Sequence, residues 1–130
     1  ARAYEAALAK APENVFILNN LAYMLAESLD DAAAALPYAR KAAELMPTDP
    51  NMADTLGWIY FQNSQPEKAE KELRRSLQLS ETPAALYHLG RVLESLGRSD
   101  EAAARYRRGY DLVRGRPQDP FHDLLQQKAP

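Results

Sequence analysis

The chain has 130 residues, 46% of them apolar, and 16 basic against 18 acidic side chains give a formal net charge of -2. That length and apolar content suffice for one domain with a sizeable core, and the near balance of charge gives no drive towards nucleic acid or an anionic membrane. No apolar run approaches the roughly 18 residues of a membrane span, and the lack of cysteine excludes disulfides and thiolate chemistry.

The sequence does not begin with Met and opens inside a helical pattern, "RAYEAALAKAP", so it is expected to be a piece of a longer protein. Residues 1–13 read as the second helix of a unit that begins upstream. Tyr4 and Leu8 on that helix would then lack a partner helix and form an edge open to self-association. Residues 14–48 predict two helices joined by the turn "ESLDDA", with Asp30 or Asp31 capping the second. Pro37 lies near the second turn of that helix and predicts a late start or a slight kink.

Residues 49–81 repeat the pair, with Pro50 and Pro66 each in a first helical turn, where proline is tolerated. Residues 82–114 repeat it again, with Pro83 in a first turn and Ser99 as a candidate N-cap before "DEAAARYRR". Gly115 and Pro117 end the pattern. In residues 115–130 Asp119 is expected to cap a short helix with Pro120 at its first position, carrying an apolar stripe of Phe121, Leu124 and Leu125. So short a helix is not stable alone and must dock. It either caps the last unit's open edge or lies in a groove of its own or a neighbouring molecule.

Three segments superimpose: "NNLAYML" (19–25), "DTLGWIY" (54–60) and "YHLGRVL" (87–93). Leu21, Leu56 and Leu89 share one position, followed by Ala22, Gly57 and Gly90, then by Leu25, Tyr60 and Leu93. The second helices align as well, with Ala35, Ala69 and Ala102 in register. The spacing between equivalents is 33 to 35 residues. Glycine in a helix costs about 1 kcal/mol relative to alanine, so its recurrence marks places where two backbones approach closely.

A period of about 34 residues built from two helices resembles the tetratricopeptide repeat. The resemblance covers residues 1–113: the small residues Ala22, Gly57 and Gly90, the alanines Ala35, Ala69 and Ala102, and the closing prolines Pro12 and Pro47. It departs from the pattern in an extra residue in "ESLDDA" and in a second repeat that lacks its closing proline. The resemblance implies an all-α solenoid of antiparallel helix pairs, about three and a half repeats, ended by a short capping helix. It also implies that the first helix of each repeat lines a concave groove that binds peptides or partner helices. "LNNLAYMLAE", "DTLGWIY" and "YHLGRVLESLGR" look like repeats of bacterial envelope or exopolysaccharide-export proteins, which tilts the expected compartment from bacterial cytoplasm towards the periplasm or envelope.

On that face, helical spacing gives the expected groove residues: Phe16, Asn19 and Tyr23, then Asn51, Asp54, Trp58 and Phe61, then Tyr87 and Arg91. They are aromatics mixed with amides and charges, types that carry interface energy. Trp58 either packs between neighbouring first helices or faces the groove as an anchor. Chaperone-binding members of the family clamp a dicarboxylate with Lys, Asn and Arg. The corresponding places hold Asn19, Tyr23, Thr55, Ala84 and His88, so that clamp is not expected. Arg91 and Asp54 point instead to a mixed-sign surface for a neutral or polar peptide.

No catalytic constellation is present, so neither enzyme activity nor a cofactor or metal is expected. His88 and His122 lack ligand spacing, and the five glycines form no phosphate loop. His88 reads as a packing or groove residue. The basic cluster Arg105, Arg107, Arg108, Arg114 and Arg116 lacks interleaved aromatics beyond Tyr106 and Tyr110, which argues against nucleic acid. The expected function is a protein-interaction scaffold or adaptor, with a structural, self-assembling segment of a larger complex as the alternative.

Overall fold

A computed structural model describes residues 14–130; the first thirteen, with Tyr4, Leu8 and Pro12, lie outside the described residues. Among the described residues seven helices follow one another: α1 (Val15–Glu27), α2 (Ala32–Leu45), α3 (Pro50–Gln62), α4 (Pro66–Leu79), α5 (Pro83–Ser95), α6 (Ser99–Val113) and α7 (His122–Lys128). Among those residues there is no strand. The helices pack as α1 on α2, α3 on α4 and α5 on α6. Each second helix also meets the next first helix, and the first helices α1, α3 and α5 meet in sequence. That connectivity is an α-solenoid.

The first helices start on side-chain caps. Asn14, Asp49 and Thr82 each accept from main-chain amides of the first turn, and Pro50 and Pro83 occupy the position where a missing N–H is harmless. Asp31, not Asp30, caps α2, with its Oδ1 accepting from Ala34 N at 3.1 Å. Ser99 does not cap α6: it is the first helical residue, and Arg98 before it makes no side-chain cap bond. Pro37 neither delays nor ends α2, which begins five residues earlier at Ala32. Both Pro37 and Ala33, whose carbonyl loses its helical donor, are exposed, so water can replace that bond.

The turns inside the repeats share one device. Asp30, Ser64 and Gly97, one period apart, all have left-handed φ, at 51°, 61° and 78°. The residue after each donates its amide back to Leu25, Tyr60 and Leu93 O respectively. The extra residue of "ESLDDA" appears here: Asp31 reaches back six residues, whereas Gln65 and Arg98 reach back five.

The core is continuous along the stack. Leu21, Ala22, Ala35 and Ala42 are fully covered in the first repeat, and Leu73, Leu89, Leu93 and Val113 in the later ones; Tyr60 packs against both groups. The helix glycines sit where α3 crosses α4 and α5 crosses α6. A Cβ on Gly57 would stand 2.7 Å from Leu73 Cγ and 3.2 Å from the Ala69 carbonyl, and one on Gly90 would fall into the Tyr106 ring.

The last helix caps the stack, docking on α6. Leu125 is fully buried and fills the space left by Gly109. The helix begins at His122 rather than Pro120, although Asp119 Oδ1 still accepts from Phe121 N at 2.8 Å. Its buried residues are His122 and Leu125, with the partly buried Phe121 just before it. Leu124, expected in the stripe, points outward at 40% exposure, because Leu125 already takes the one position that faces Gly109.

Candidate functional site: the first-helix face

Tyr23, Trp58 and Arg91 are equivalent residues of α1, α3 and α5, two positions past the repeat leucine. Asn19, Asp54 and Tyr87 form a second such row, two before it. Trp58 donates its Nε1–H to Glu27 Oε1 at 2.9 Å, which also accepts from Gln62 Nε2 at 3.0 Å. On its other side the indole stacks on His88, with centroids 4.3 Å apart and planes 24° apart. The Arg91 guanidinium lies over the same ring at 5.7 Å. Trp58 therefore ties three first helices together while keeping part of its ring in the open. Of the two sequence readings of it, packing between neighbouring first helices is what these contacts are.

His88 is held from below. Its Nδ1 lies 2.7 Å from Asp54 Oδ1, and both residues are buried. A carboxylate only accepts, so Nδ1 carries the proton. Phe121 from the C-terminal segment meets the imidazole edge-on at 5.5 Å and lies 5.7 Å from Tyr87. Arg91 donates to the Tyr87 hydroxyl at 3.0 Å.

Asp54, Trp58, Tyr87 and Arg91 thus form one cluster, joined by His88 and Phe121. Asp54 is spent on the imidazole and is not a free surface charge. Phe61 packs beside Trp58, with centroids 5.3 Å apart. Asn19 and Tyr23 line a separate cleft of about 490 Å³ with Asn20, Met24, Ser28 and Thr55. Asn19 Oδ1 is buried there without a hydrogen-bond partner. Burial, and then the charges of Glu27 and Asp54, raise the Tyr23 hydroxyl's pKa. Phe16, 64% exposed, and Asn51 stand near the helix starts, outside both the cluster and the cleft.

Phe121 was not among the expected groove residues, and His88 was expected only as a packing or groove residue, with no partner named for it. For His88 a signal existed: it follows Asp54 by 34 residues, one repeat, which brings neighbouring first helices side by side. Phe121 lies beyond the last repeat, where no period predicts its register.

A family model described as "Anaphase-promoting complex, cyclosome, subunit 3" matches residues 28–109. The TPR repeat-containing protein PA4667 of Pseudomonas aeruginosa is 36% identical over 83 residues, 64% of this chain and 14% of that protein's length. The fold is similar to that in the crystal structure of MamA, at TM-score 0.78 and 25% identity over 97% of this chain and 74% of MamA. The thermophilic TPR protein TTC0263 of Thermus thermophilus has a TM-score of 0.74 at 24% identity, covering 95% of this chain and 66% of its own. YrrB, described as a TPR protein with an unusual peptide-binding site, has a TM-score of 0.73 at 23% identity, covering 92% of this chain and 62% of its own.

Proposed function

This chain belongs to the tetratricopeptide-repeat family, and on that premise we propose that it is a protein-interaction scaffold whose first-helix groove binds a peptide segment of a partner. Its strongest support is the fixed platform of Trp58, which is hydrogen-bonded to α1, stacked on α5 and still partly exposed. An aromatic anchor that is already ordered loses little entropy on binding.

Around it stand a partly open Tyr23, the amides of Asn19 and Asn20, and the Arg91 guanidinium, whose hydrogen-bond partner is a phenol rather than a carboxylate. The cleft between Asn19 and Thr55 carries no cationic side chain, so it favours neutral or donor-rich residues. YrrB's described peptide site makes a peptide the natural class of ligand for a chain of this fold.

The test is selection from a phage-displayed random peptide library on the immobilised protein, followed by titration of winners against Trp58 emission. Peptides are expected to shift that emission and to bind a Tyr23→Ala/Arg91→Ala variant at least about tenfold more weakly, the equivalent of 1.4 kcal/mol. Undiminished binding to the variant with silent Trp58 emission would remove the groove as the site.

A further inference from the structure

On the opposite side, where the second helices run, a cleft of about 280 Å³ lies between α4 and α6. Its walls are Arg74, Leu77, Gln78, Glu81 and Arg105. We propose that this cleft is a second interaction site, one that takes an acidic side chain of a protein partner, its carboxylate held by Arg105 beside the apolar shelf of Leu77.

The charges around it are nearly all matched. Arg74 binds Glu70 at 2.8 Å and Glu101 at 2.5 Å, Arg98 binds Glu70 at 2.9 Å and Glu101 at 2.6 Å, and Arg108 binds Glu81 at 2.6 Å. Four arginines thus face three glutamates, and among these described residues Arg105 is the one without an acid. Its Nε is buried without a hydrogen-bond partner. The Arg105 side chain as a whole is only partly buried and lines the cleft, and a carboxylate is the acceptor whose geometry suits a guanidinium.

The site is also built rather than incidental. Arg74 is fixed by two carboxylates from two repeats, so the wall opposite Arg105 is ordered before any ligand arrives. Glu81, the carboxylate on the wall, is occupied by Arg108 and does not compete for Arg105. Leu77 within the cleft and Leu79, 39% exposed at the end of α4, offer apolar surface of a kind a free inorganic anion cannot use. That combination favours a peptide over a small ion.

The probe is the blocked tripeptide Leu-Glu-Leu, with Leu-Gln-Leu as its uncharged match, titrated while the Arg105 Nε–H resonance is followed by ¹H–¹⁵N NMR. A saturable shift is expected with the first and at least about a tenfold weaker response with the second. Trp58 emission should stay unchanged, which separates this site from the groove. Arg105→Gln should abolish the response, Arg105→Lys should weaken it, and Arg107→Gln, an exposed arginine outside the cleft, should leave it intact. Should Arg105→Gln not fold, Arg105→Lys and the resonance itself still decide. No shift by about 10 mM peptide, or equal affinity for acetate or inorganic phosphate, would overturn the proposal.

Discussion

Asp54 and His88 stand one repeat apart in sequence and share a 2.7 Å hydrogen bond beneath the Trp58 ring. A pair that no single helix could bring together is thereby made the joint between α3 and α5. Removing either member leaves a buried polar group unmet. Asp54→Ala is expected to cost about 1–3 kcal/mol of stability. His88→Ala should cost at least as much, because the stack under Trp58 goes with it. The double variant should lose less than the sum of the two, which would show that they act together. Urea midpoints with an unchanged slope check the stability, and the Trp58 emission maximum reports the stack.

The three left-handed turn residues differ in identity, and the turn at Asp30 is longer by one residue. Gly97 takes its φ of 78° freely, while Ser64 and Asp30 hold 61° and 51° against the steric cost of a Cβ. Ser64→Gly should therefore raise stability by roughly 0.5–1 kcal/mol, and Gly97→Ala should lower it by about as much. Asp30→Gly should gain less, since aspartate tolerates this region better than most residues. Thermal midpoints of the three variants, compared side by side, make the check.

Close packing in the helices predicts a different ranking. Gly57→Ala and Gly90→Ala each gain about 1 kcal/mol of helix propensity. Each also pushes a methyl into occupied space, a cost of about 1–3 kcal/mol. The cost should be larger at Gly90. Three atoms of the Tyr106 ring would stand within 2.8 Å there, and that ring is pinned by its hydroxyl's 2.5 Å bond to Glu94 and by Tyr87, whereas at Gly57 the contacts are Leu73 Cγ at 2.7 Å and then Leu73 Cδ2 and the Ala69 carbonyl at 3.2 Å. Gly90→Ala should be the less stable variant in denaturant melts, and Gly90→Ala/Tyr106→Phe should recover part of the loss.

The same tyrosine sets part of the pH dependence. The Tyr106 hydroxyl, and then Lys128, hold the Glu94 carboxyl below its ordinary value of 4.5. Its contribution is thus complete above that value and is lost as pH falls and the folded protein takes up the proton. Tyr106 is shifted the other way: burial, and then Glu94, raise its pKa above the ordinary 10.0. Its contribution is complete below that value and declines as pH rises above it, because the unfolded chain ionises first. Unfolding midpoints should therefore drop below pH 4.5 and again above pH 10. Glu94→Gln should flatten the acid limb.

Much of this was readable beforehand, for a physical reason. A solenoid's core repeats, so Leu21, Leu56 and Leu89, and the small residues beside them, carry the fold in their spacing alone. Proline at a first helical turn is equally local and was placed correctly at Pro50, Pro66 and Pro83. What failed depended on one side chain choosing between neighbours. Ser99 lost the cap because the helix starts one residue early. Pro37 rides on an exposed face and does not delay the start of its helix. Leu124 points outward because Leu125 holds the only seat facing Gly109. Within the candidate site, the rows of the first helices were legible, whereas the 34-residue spacing of Asp54 and His88 hinted at their pairing without fixing it. It joins two different positions of adjacent repeats, which an alignment of equivalent positions hides.

That seat facing Gly109 gives the sharpest stability test. Leu125 is completely buried against α6, and a Cβ on Gly109 would meet it at 2.7 Å. Leu125→Ala should cost about 2–5 kcal/mol, whereas Leu124→Ala, at an exposed position, should stay within about 0.5 kcal/mol of the parent. Loss of α7 also frees Phe121 from Tyr87 and His88, so Leu125→Ala should alter the Trp58 environment from the far side of the imidazole. Hydrogen exchange resolves the sequence of events. Amides of α7 and the end of α6 should lose protection first, and those of α3 and α4 should keep it. Uniform loss along the whole chain would mean instead that the cap and the repeats unfold as one unit.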